Sequence, residues 1–457
     1  MASDGRMLRT LLGVKKAIIV GCDSNIDNNG VQHAVFTLKM NKRDQHRCPI
    51  CGKKCVMYDT RKYPRRWRAL DSPTGVLIEY ESQLVRIRCP VHKVHTERVP
   101  WAYPGSRFTK DFDLVATWLV KYIPRTAICE FLRIDWETVG RCVSRASRDL
   151  EPDITKRRDG LVNIGIDETS YKKGHKFITV VVNHDTNTVV WAHVGYGKQV
   201  LDKFFNELTQ EQKSTIKVVT GDGARWITDS VQEHIGDCQR CVDPFHVVSW
   251  SNDSLNEVRL EARRSAEAEL RDIKQKHILS NSQEEFDGKA AVDLARKRRE
   301  AETRVLAVRQ SKYPLGKCPK NLTENQKAIL DTIAVYDTRL LRAYQLKEGL
   351  RTLLKIKDVP TAETELKRWL SKACRSKIKA FVKLSRKIRR HYDHIINTIR
   401  LGMSNARLEA TNNKIKLIIR KAYGLRNIQS LIDMVYLVCS NLMVPLPNRG
   451  QCCPNTA

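Results

Sequence analysis

Two carboxylates, Asp167 and Asp222, end apolar segments that are typical of buried strands. The segment "LVNIGI" leads to Asp167, and "IKVVTG" leads to Asp222, which lies between two glycines. Taken singly, each acid is equally well explained as a turn residue, because Asp and Gly are common in turns. If the two acids lie side by side, their like charges are unfavourable unless a cation lies between them. Carboxylate oxygens suit Mg²⁺, and two divalent ions about 3.5–4 Å apart are the usual arrangement for phosphodiester chemistry.

The order of the predicted strands and helices decides whether the two acids meet. Apolar patterning and short turns predict three successive strands, at residues 161–167, 176–183 and 188–194. There follow a helix near 200–208, a fourth strand ending at Asp222, a helix near 226–235 and a fifth strand in "CQRCVD". This is the order of a ribonuclease H-like α/β fold. In that order the first and fourth strands are neighbours, so we expect Asp167 and Asp222 to emerge together at the edge of the sheet.

A third acid would complete the ion cage, and Glu409 is the candidate. It lies on a helix predicted to start at Ser404 or Asn405. One face of that helix combines Glu409 with three polar residues at i+3, i+4 and i+7, which are Asn412, Asn413 and Lys416. The alternative is a solvated helix with Glu409 in its first turn, where the helix dipole favours an acid. The pattern by itself favours that alternative.

The segment "VDPFHVVSW" supplies two rival site residues, Asp243 and His246. Asp243 ends the fifth strand and could enter the site, but Asp-Pro is also an ordinary helix N-terminus. Cys238 and Cys241 just before it have metal-ligand spacing. Because no second knuckle flanks them, we expect buried thiols there.

Two knuckles in the front third, "RCPIC" and "RCPVH", suggest one zinc ion. A tetrahedral ion needs four ligands, and each knuckle aims two of them at one point. The expected ligands are Cys48, Cys51, Cys89 and His92. Cys55 and His95 are possible substitutes, and free thiols with incidental spacing are the alternative. A closed four-ligand site leaves no position for substrate, so we expect the ion to be structural.

The segment between the knuckles, "RKYPRRWRALD", interleaves basic residues with Tyr63 and Trp67. Such a run can grip phosphates while its aromatic side chains stack or pack. A solvated basic hairpin with Trp67 in a small core explains it equally well. The residues proposed to bind DNA are Arg61, Lys62, Arg65, Arg66 and Arg68.

Three helices are predicted after the knuckles. The first starts near Thr109 and ends at Pro124, a short second follows, and the third runs from about Trp136 to Leu150. A short helix, a tight turn and a longer basic helix are typical of a helix-turn-helix. The residues expected to face DNA are Arg133, Arg141, Arg145 and Arg148, with Thr138 and Ser144 in reach of it. A plain three-helix bundle is the alternative.

The charge balance indicates a polyanionic partner. The 81 Lys and Arg exceed the 51 Asp and Glu by 30, as expected of a protein that binds nucleic acid or an anionic membrane. No apolar run approaches the ~18 residues of a membrane span, and no signal peptide is recognisable, which favours nucleic acid. The 14 cysteines are too sparse for a disulfide scaffold, so we expect a cytoplasmic, nucleoid-associated protein.

The stretch between Asp222 and Glu409 is far longer than a connection in such a fold needs. Residues 251–400 contain 35 Lys and Arg against 20 Asp and Glu and show apolar residues at helical spacing. They predict an all-helical insertion, broken near "KYPLGKCPKNLTENQ". Its end, residues 371–390, has nine basic residues and no acid. That stripe should track a phosphate backbone, or else it is a solvated face. Its proposed DNA-binding residues are Lys377, Lys379, Lys383, Arg386, Lys387, Arg389 and Arg390.

The chain resembles the ISL-three (insertion-sequence L three) family of bacterial transposases. The resemblance covers nearly the whole chain and rests on seven blocks in the family's order: "RCPICG…RCPVHK", "VPWAYPGSRFTKDF", "IDWETVGR", "IGIDETSYKKGHKFITVV", "VVTGDGARW", "CVDPFHVV" and "SNARLEATNNKIKLIIRKAYGLRN". The sequence departs from the family pattern at two places; zinc also accepts the imidazole found at the first, and the alanines at the second touch no charge. His92 stands where the family commonly has Cys, and Ala406 and Ala410 stand where Gly is expected.

The resemblance implies a transposase whose DDE triad falls on Asp167, Asp222 and Glu409, with two Mg²⁺ or Mn²⁺ ions. It also implies a front end that reads the terminal inverted repeats of double-stranded DNA, a target DNA, and a homodimer or larger assembly on paired ends. The other hypotheses are a non-catalytic zinc-finger and helix-turn-helix regulator, which the intact acids argue against, and a junction nuclease, which would lack the end-reading front domain.

The predicted fold class is therefore multidomain α+β. A β-rich zinc-finger domain (1–105) and a helix-turn-helix (106–152) precede a ribonuclease H-like core. The core is expected in two parts, 160–250 and 401–445, separated by the helical insertion (251–400), and a tail (446–457) follows.

Overall fold

The structure is a computed structural model that describes residues 2–280, 288–403, 406–422 and 427–447. The described residues form two compact units. The first lies within Met1–Asp159, Thr188–His193 and Thr411–Ala457, and the second within Gly160–Asn187 and Val194–Ala410. The predicted class, a multidomain α+β protein, is confirmed. The predicted helix start at Ser404 or Asn405 and most of the tail lie outside the described residues.

The strands of the described chain form three sheets. They are β1 (Ala17–Ile26), β2 (Gln32–Met40), β3 (Val56–Thr60), β4 (Arg65–Arg68), β5 (Leu77–Ser82), β6 (Val85–Cys89), β7 (Lys93–Thr96), β8 (Asn163–Lys172), β9 (Lys176–Asn183), β10 (Thr188–Val194), β11 (Val218–Gly221) and β12 (Gln239–Val242). Their orders are β1-β2-β5-β4, β3-β6-β7 and β10-β9-β8-β11-β12.

Most of the remaining chain is helical. The helices are α1 (Ala2–Leu11), α2 (Lys110–Tyr122), α3 (Arg125–Leu132), α4 (Trp136–Leu150), α5 (Lys198–Asn206), α6 (Gln210–Thr215), α7 (Arg225–His234), α8 (Pro244–Ser280), α9 (Gly288–Gln310), α10 (Lys312–Gly316), α11 (Glu324–Tyr336), α12 (Thr338–Leu353), α13 (Val359–Cys374), α14 (Lys379–Arg390), α15 (Tyr392–Leu401), α16 (Ala406–Lys421) and α17 (Ile428–Cys439). Short 3-10 turns cover Ile154–Arg158 and Pro319–Asn321. No helix of these described segments is long and apolar enough to cross a membrane.

The first unit places two small sheets before a three-helix segment. The β1-β2-β5-β4 sheet covers a core in which Trp67 and Trp101 meet edge to face at 5.5 Å. In the β3-β6-β7 sheet, Ile87 packs with the buried thiols Cys48 and Cys89. Trp67 therefore serves as a core residue, which is one of the two alternatives for its segment, while Tyr63 stays exposed.

The second unit contains the strands that carry the central acids. β9 runs antiparallel to β8, while β11 is parallel to β8 and to β12. The neighbouring positions predicted for the first and fourth strands are confirmed. β8 continues past the predicted end at Asp167 to Lys172, because its later residues still pair with β9.

The helical segment after β12 begins earlier than residue 251. α8 starts at Pro244 and runs for 37 residues without a break. α12, α13 and α14 share its apolar core, to which Leu255, Leu350, Leu366, Phe381 and Ile388 contribute buried side chains. The predicted interruption corresponds to the short α10 and the turn after it.

Candidate functional site

Four predicted zinc ligands converge in the first unit. The ligand atoms of Cys48, Cys51, Cys89 and His92 all lie within 4.8 Å of one another. Cys51 Sγ is 3.8 Å from Cys89 Sγ, and His92 Nδ1 lies 3.7 Å from Cys48 Sγ and 3.6 Å from Cys89 Sγ. A tetrahedral ion with Zn–S of about 2.3 Å and Zn–N of about 2.05 Å requires edges of about 3.8 Å and about 3.6 Å. These three distances match the edges of a zinc tetrahedron.

The environment of Cys89 favours the thiolate form that zinc binds. The peptide N–H of His92 is the main cause that lowers the pKa of Cys89 to about 6. The two substitutes are not members of the four-residue group. Cys55 donates instead to the carbonyl of Lys53 at 3.4 Å, and His95 lies on β7. The first-choice set is thus the one that the fold brings together.

Helices α2, α3 and α4 have the predicted boundaries because their ends are locally encoded. The Thr109 and Asp135 side chains accept hydrogen bonds from the peptide N–H groups of Phe112 and Thr138, which caps α2 and α4. Arg133 ends α3 in the left-handed region, with φ 50° and ψ 51°. The helix, tight turn and helix predicted there are confirmed.

Arg145 does not face outward as predicted. Its Nε and Nη2 donate to the two carboxylate oxygens of Asp113 at 2.7 and 2.8 Å. The Asp113 side chain is fully buried, so this bidentate pair fastens α4 to α2. Arg141 and Arg148 on the same helix remain exposed.

A basic groove of about 900 Å³ joins two segments that the sequence analysis treated separately. Most of its cations come from the basic segment between the knuckles, and the rest of its wall includes Arg107 and Phe108 before α2 and the turn before α4. The groove is lined by Thr138 of α4 and by the cations Arg61, Lys62, Arg65, Arg66, Arg68, Arg107 and Arg133. The groove therefore runs from the basic segment to the first turn of the predicted recognition helix.

The cations of this basic groove are not equally available. Arg68 pairs with Asp71 at 3.0 Å and donates to the carbonyl of Arg133, while Arg65 donates to the carbonyl of Ser106 at 2.7 Å. The exposed Arg66 pairs with Glu81 at 2.6 Å. Arg61 and Lys62 are exposed and form no ion pair among the described residues.

Asp167 and Asp222 occupy equivalent positions on neighbouring parallel strands. Gly165 pairs with Thr220. Asp167 lies two residues further along β8, and Asp222 lies two residues beyond Thr220, directly after the end of β11. Side chains two residues apart share a face of the sheet. A Cβ atom at Gly221 would lie 2.9 Å from the carbonyl oxygen of Ile166, so the two strands are still in close contact next to the acids.

Glu168 joins Asp167 and Asp222 in one acid cluster, although it is not among the predicted site residues. Burial is the main cause that raises its pKa to about 7, and the charges of Asp222 and Asp167 add to the rise. The peptide N–H of Gly197 donates to its carboxylate at 3.4 Å. Its position directly after Asp167 at the end of an apolar run was the available sequence signal.

Asp243 combines both roles that were considered for it. Its carboxylate accepts a hydrogen bond from the peptide N–H of Phe245 at 3.0 Å, which caps the start of α8. The side chain is also buried, and burial together with the charges of Glu409 and Asp167 raises its pKa. Glu409 and Asp167 therefore both lie within electrostatic range of Asp243.

Glu409 reaches this cluster because its helix contacts β8. A Cβ atom at Gly165 would lie 2.7 Å from Cδ1 of Leu408, which is buried. Glu409 itself is exposed. Of the accessory candidates, His246 is half-buried and lowers the pKa of Asp243, while Asn412, Asn413 and Lys416 follow on α16.

Two cations accompany Asp222. Arg240 is buried and donates to the carbonyl oxygens of Val219, Cys241 and Asp222. Burial lowers its pKa to about 10. Lys387 is half-buried, and the charge of Asp222 acts on it.

Burial raises the pKa of both Cys238 and Cys241 to about 11, and Cys241 is fully buried.

In the basic stripe of residues 371–390, six of the seven predicted DNA-binding residues are exposed: Lys377, Lys379, Lys383, Arg386, Arg389 and Arg390. Lys387 is the exception, because its ammonium is turned toward Trp250.

Comparison with known proteins identifies the family of the chain. A family model described as "Transposase" matches residues 164–435, and one described as "Helix-turn-helix domain of transposase family ISL3" matches residues 97–147. Over 446 residues, 97% of each chain, the protein is 37% identical to the transposase for insertion sequence element IS1557 of two Mycobacterium tuberculosis strains, CDC 1551 / Oshkosh and H37Rv. Over 335 residues it is 24% identical to the transposase for IS1001 of Bordetella parapertussis, covering 72% of this chain and 73% of that one. The chain therefore belongs to the ISL3 family of insertion-sequence transposases, with a helix-turn-helix DNA-binding domain and a DDE transposase domain.

Proposed function

We propose that the protein cleaves DNA strands at the terminal inverted repeats of its element and joins them to a target. Asp167, Asp222 and Glu409 would be its metal-binding catalytic residues. The observation that carries the proposal is the contact of Leu408 with Gly165, two residues before Asp167 on β8. The parallel register of β8 with β11 supports the pairing of the two aspartates.

We assign the strands of the acid cluster to a ribonuclease H-like core. The antiparallel pair β8 and β9 is followed by β11 and then β12, both parallel to β8. Helix α7 connects the last two strands. This order supports the predicted core at 160–250 and 401–445, with residues 251–400 as the insertion.

The donor set fits a hard divalent cation. Asp167, Glu168, Asp243 and Glu409 are all oxygen donors, which suit Mg²⁺ or Mn²⁺ rather than zinc. Burial and mutual repulsion raise the pKa of Glu168 and Asp243, which indicates an excess of negative charge. A pair of divalent ions would neutralise it.

The chemistry of the acids suits phosphodiester cleavage and transfer. When bound, two divalent ions would activate water or a DNA 3′-hydroxyl and stabilise the departing 3′-oxygen. The peptide N–H groups of Glu168 and Ala224 donate to Asp167 and Asp222 at 2.8 and 2.9 Å, which orients both carboxylates. Glu409, on α16, would supply the third carboxylate that binds the ions. No covalent link between enzyme and DNA is needed.

The first unit would recognise the ends of the element. Its helix-turn-helix supplies the predicted recognition helix α4, with Arg141 and Arg148 exposed on it. The basic groove would hold the adjacent phosphates through Arg61 and Lys62. Cys48, Cys51, Cys89 and His92 would bind one structural zinc that holds the knuckles together. Because both ends must be cut and joined together, we expect a homodimer or a larger assembly on paired ends.

Mapping nicks on end-labelled inverted-repeat DNA with Mg²⁺ or Mn²⁺ tests the proposal. Asp167→Asn, Asp222→Asn and Glu409→Gln should each retain end binding. Each should lose cleavage by about 1,000-fold or more, since the bound ions are worth several kcal/mol in the transition state. Asp237→Asn is the matched control, because Asp237 is an exposed loop acid and its loss should leave cleavage unchanged.

The outcome also separates the enzyme from a DNA-binding regulator. A wild-type chain that binds the ends but produces no nick with either metal would support the regulator. Full cleavage by Asp167→Asn would reject the assignment of the acids.

A further inference from the structure

Lys387 is set apart from the other basic residues of α14 by where its ammonium lies. Its Nζ is 3.7 Å from the centre of the Trp250 ring on α8. A cation at this distance over an indole face is held by the ring's quadrupole. Among the residues that the structure describes, Lys387 forms no ion pair and donates no hydrogen bond to protein. Its N–H groups are therefore available to a ligand.

A short series of contacts links Lys387 to Asp222. A Cβ atom at Gly223, the residue after Asp222, would lie 2.3 Å from Cη2 of Trp250. The indole thus presses directly on the backbone beside the acid. Lys387 lies over the same ring, and the charges of Asp222 and Lys387 act on each other.

Two other basic groups near Asp222 are poorly placed to bind an anion. Arg240 is buried, and both its Nη atoms donate to backbone carbonyls. The pKa of His391 is lowered to about 4, chiefly by burial, so its imidazole is neutral at physiological pH. Acids surround Asp167 instead. The acids therefore define a side where a cation would bind, and among the described residues the ammonium of Lys387 lies beside Asp222.

We propose that Lys387 binds the DNA phosphate that is cleaved, holding one of its non-bridging oxygens beside Asp222. This inference rests on the proposed function of Asp167, Asp222 and Glu409, and it adds a substrate-binding residue contributed by the helical insertion. Helix α14 packs against α8, so the insertion has a direct route for supplying the charge. A lysine serves here as a point charge for phosphate, and Trp250 limits the freedom of its long side chain.

Two substitutions at this position distinguish charge from packing. Lys387→Met keeps an unbranched apolar chain over Trp250 and removes the ammonium, while Lys387→Arg keeps the positive charge. With Mg²⁺ and saturating inverted-repeat DNA, we expect Lys387→Met to cleave about 100-fold more slowly in a single turnover. Lys387→Arg should recover to within about 10-fold of the wild type. The affinity for the inverted-repeat ends should change by less than about 3-fold in both variants.

Three controls accompany the measurement. Lys367→Met removes an exposed lysine of α13 outside the basic stripe and should cleave like the wild type. Thermal unfolding reports whether each variant is folded. Asp167→Asn, assayed beside them, reports on the proposed catalytic acids separately.

The possible results are distinct. Wild-type cleavage rates in Lys387→Met, with Asp167→Asn inactive, would overturn this inference and leave the proposed function intact. Equal losses in the Met and Arg variants would also overturn it, because shape rather than charge would then matter. Full cleavage by Asp167→Asn would instead reject the proposed function itself.

Discussion

Leu408 lies against Gly165 so closely that a Cβ atom on the glycine would be 2.7 Å from the leucine Cδ1. The same Cβ would lie 2.7 Å from Nε2 of His184. Gly165 precedes Asp167 by two residues on β8, and Leu408 precedes Glu409 on α16. The missing side chain at Gly165 thus lets the helix that carries the third proposed acid approach the strand that carries the first.

Gly165→Ala should destabilise the protein and lower cleavage together. The added methyl group meets two buried side chains, and overpacking of this kind costs about 1–3 kcal/mol. Urea unfolding measures the loss of stability, and strand cleavage measures the displacement of Glu409. Gly316→Ala is the control, because a Cβ there meets nothing within 4 Å. An unfolding midpoint equal to that of the wild type would contradict the contact.

Cys48→Ser and Cys89→Ser should abolish zinc binding. Each removes a buried thiolate from a four-ligand cluster, and three protein ligands do not make a closed structural site. Zinc content per chain measured by metal analysis should fall from one to near zero, and the unfolding temperature should fall with it. Cys22→Ser, at an exposed thiol outside the cluster, should keep its zinc.

Glu168 should make the metal-free protein less stable as the pH rises from about 4.5 to about 7. The pKa of Glu168 is raised from 4.5 to about 7, so the folded state binds more protons than the unfolded state in this window. The contribution of Glu168 to stability therefore decreases with pH there and levels off above it, while the lowered pKa of His391 acts in the opposite direction below about 6.5. Urea unfolding in EDTA at several pH values measures the slope of stability against pH, and Glu168→Gln should make that slope more positive. A slope unchanged in that variant would remove Glu168 as its source.

Arg145→Met should destabilise the fold, whereas Arg148→Met should weaken DNA binding. Loss of Arg145 leaves Asp113 buried without its cation, which costs about 3–5 kcal/mol. Arg148 is exposed, so its loss should change stability by less than about 0.5 kcal/mol and weaken DNA binding instead. Thermal unfolding and end-binding titrations distinguish the two. A stable Arg145→Met variant with weak DNA binding would return Arg145 to the DNA-facing surface.

Replacing both Arg61 and Lys62 by Met should make DNA binding less sensitive to salt. Each phosphate contact contributes about 0.9 to the slope of log K against log salt, so the double variant should lose up to about 1.8. Titrations between low and moderate salt measure this slope. Lys42→Met, at an exposed lysine outside the basic groove, should leave it unchanged.

Some features of this protein follow from the sequence because their causes are local. Thr109 and Asp135 cap α2 and α4 within their own first turns, and Pro124 ends α2 wherever the rest of the chain lies. The knuckles bring their ligands together in pairs at a spacing of two residues. Alternation and turn residues likewise predicted β9 and β10 to the residue.

Other features depend on residues distant in the sequence, and only the tertiary structure decides them. Nothing around Arg145 indicates that Asp113, 32 positions earlier, takes up its charge. The basic stripe does not distinguish Lys387 from Lys383 until Trp250 lies under one of them. Glu409 has the pattern of a solvated helix until Leu408 meets Gly165. A charged side chain has the same local signature whether it binds solvent, a partner acid or a ligand, because its use depends on which distant residues pack beside it.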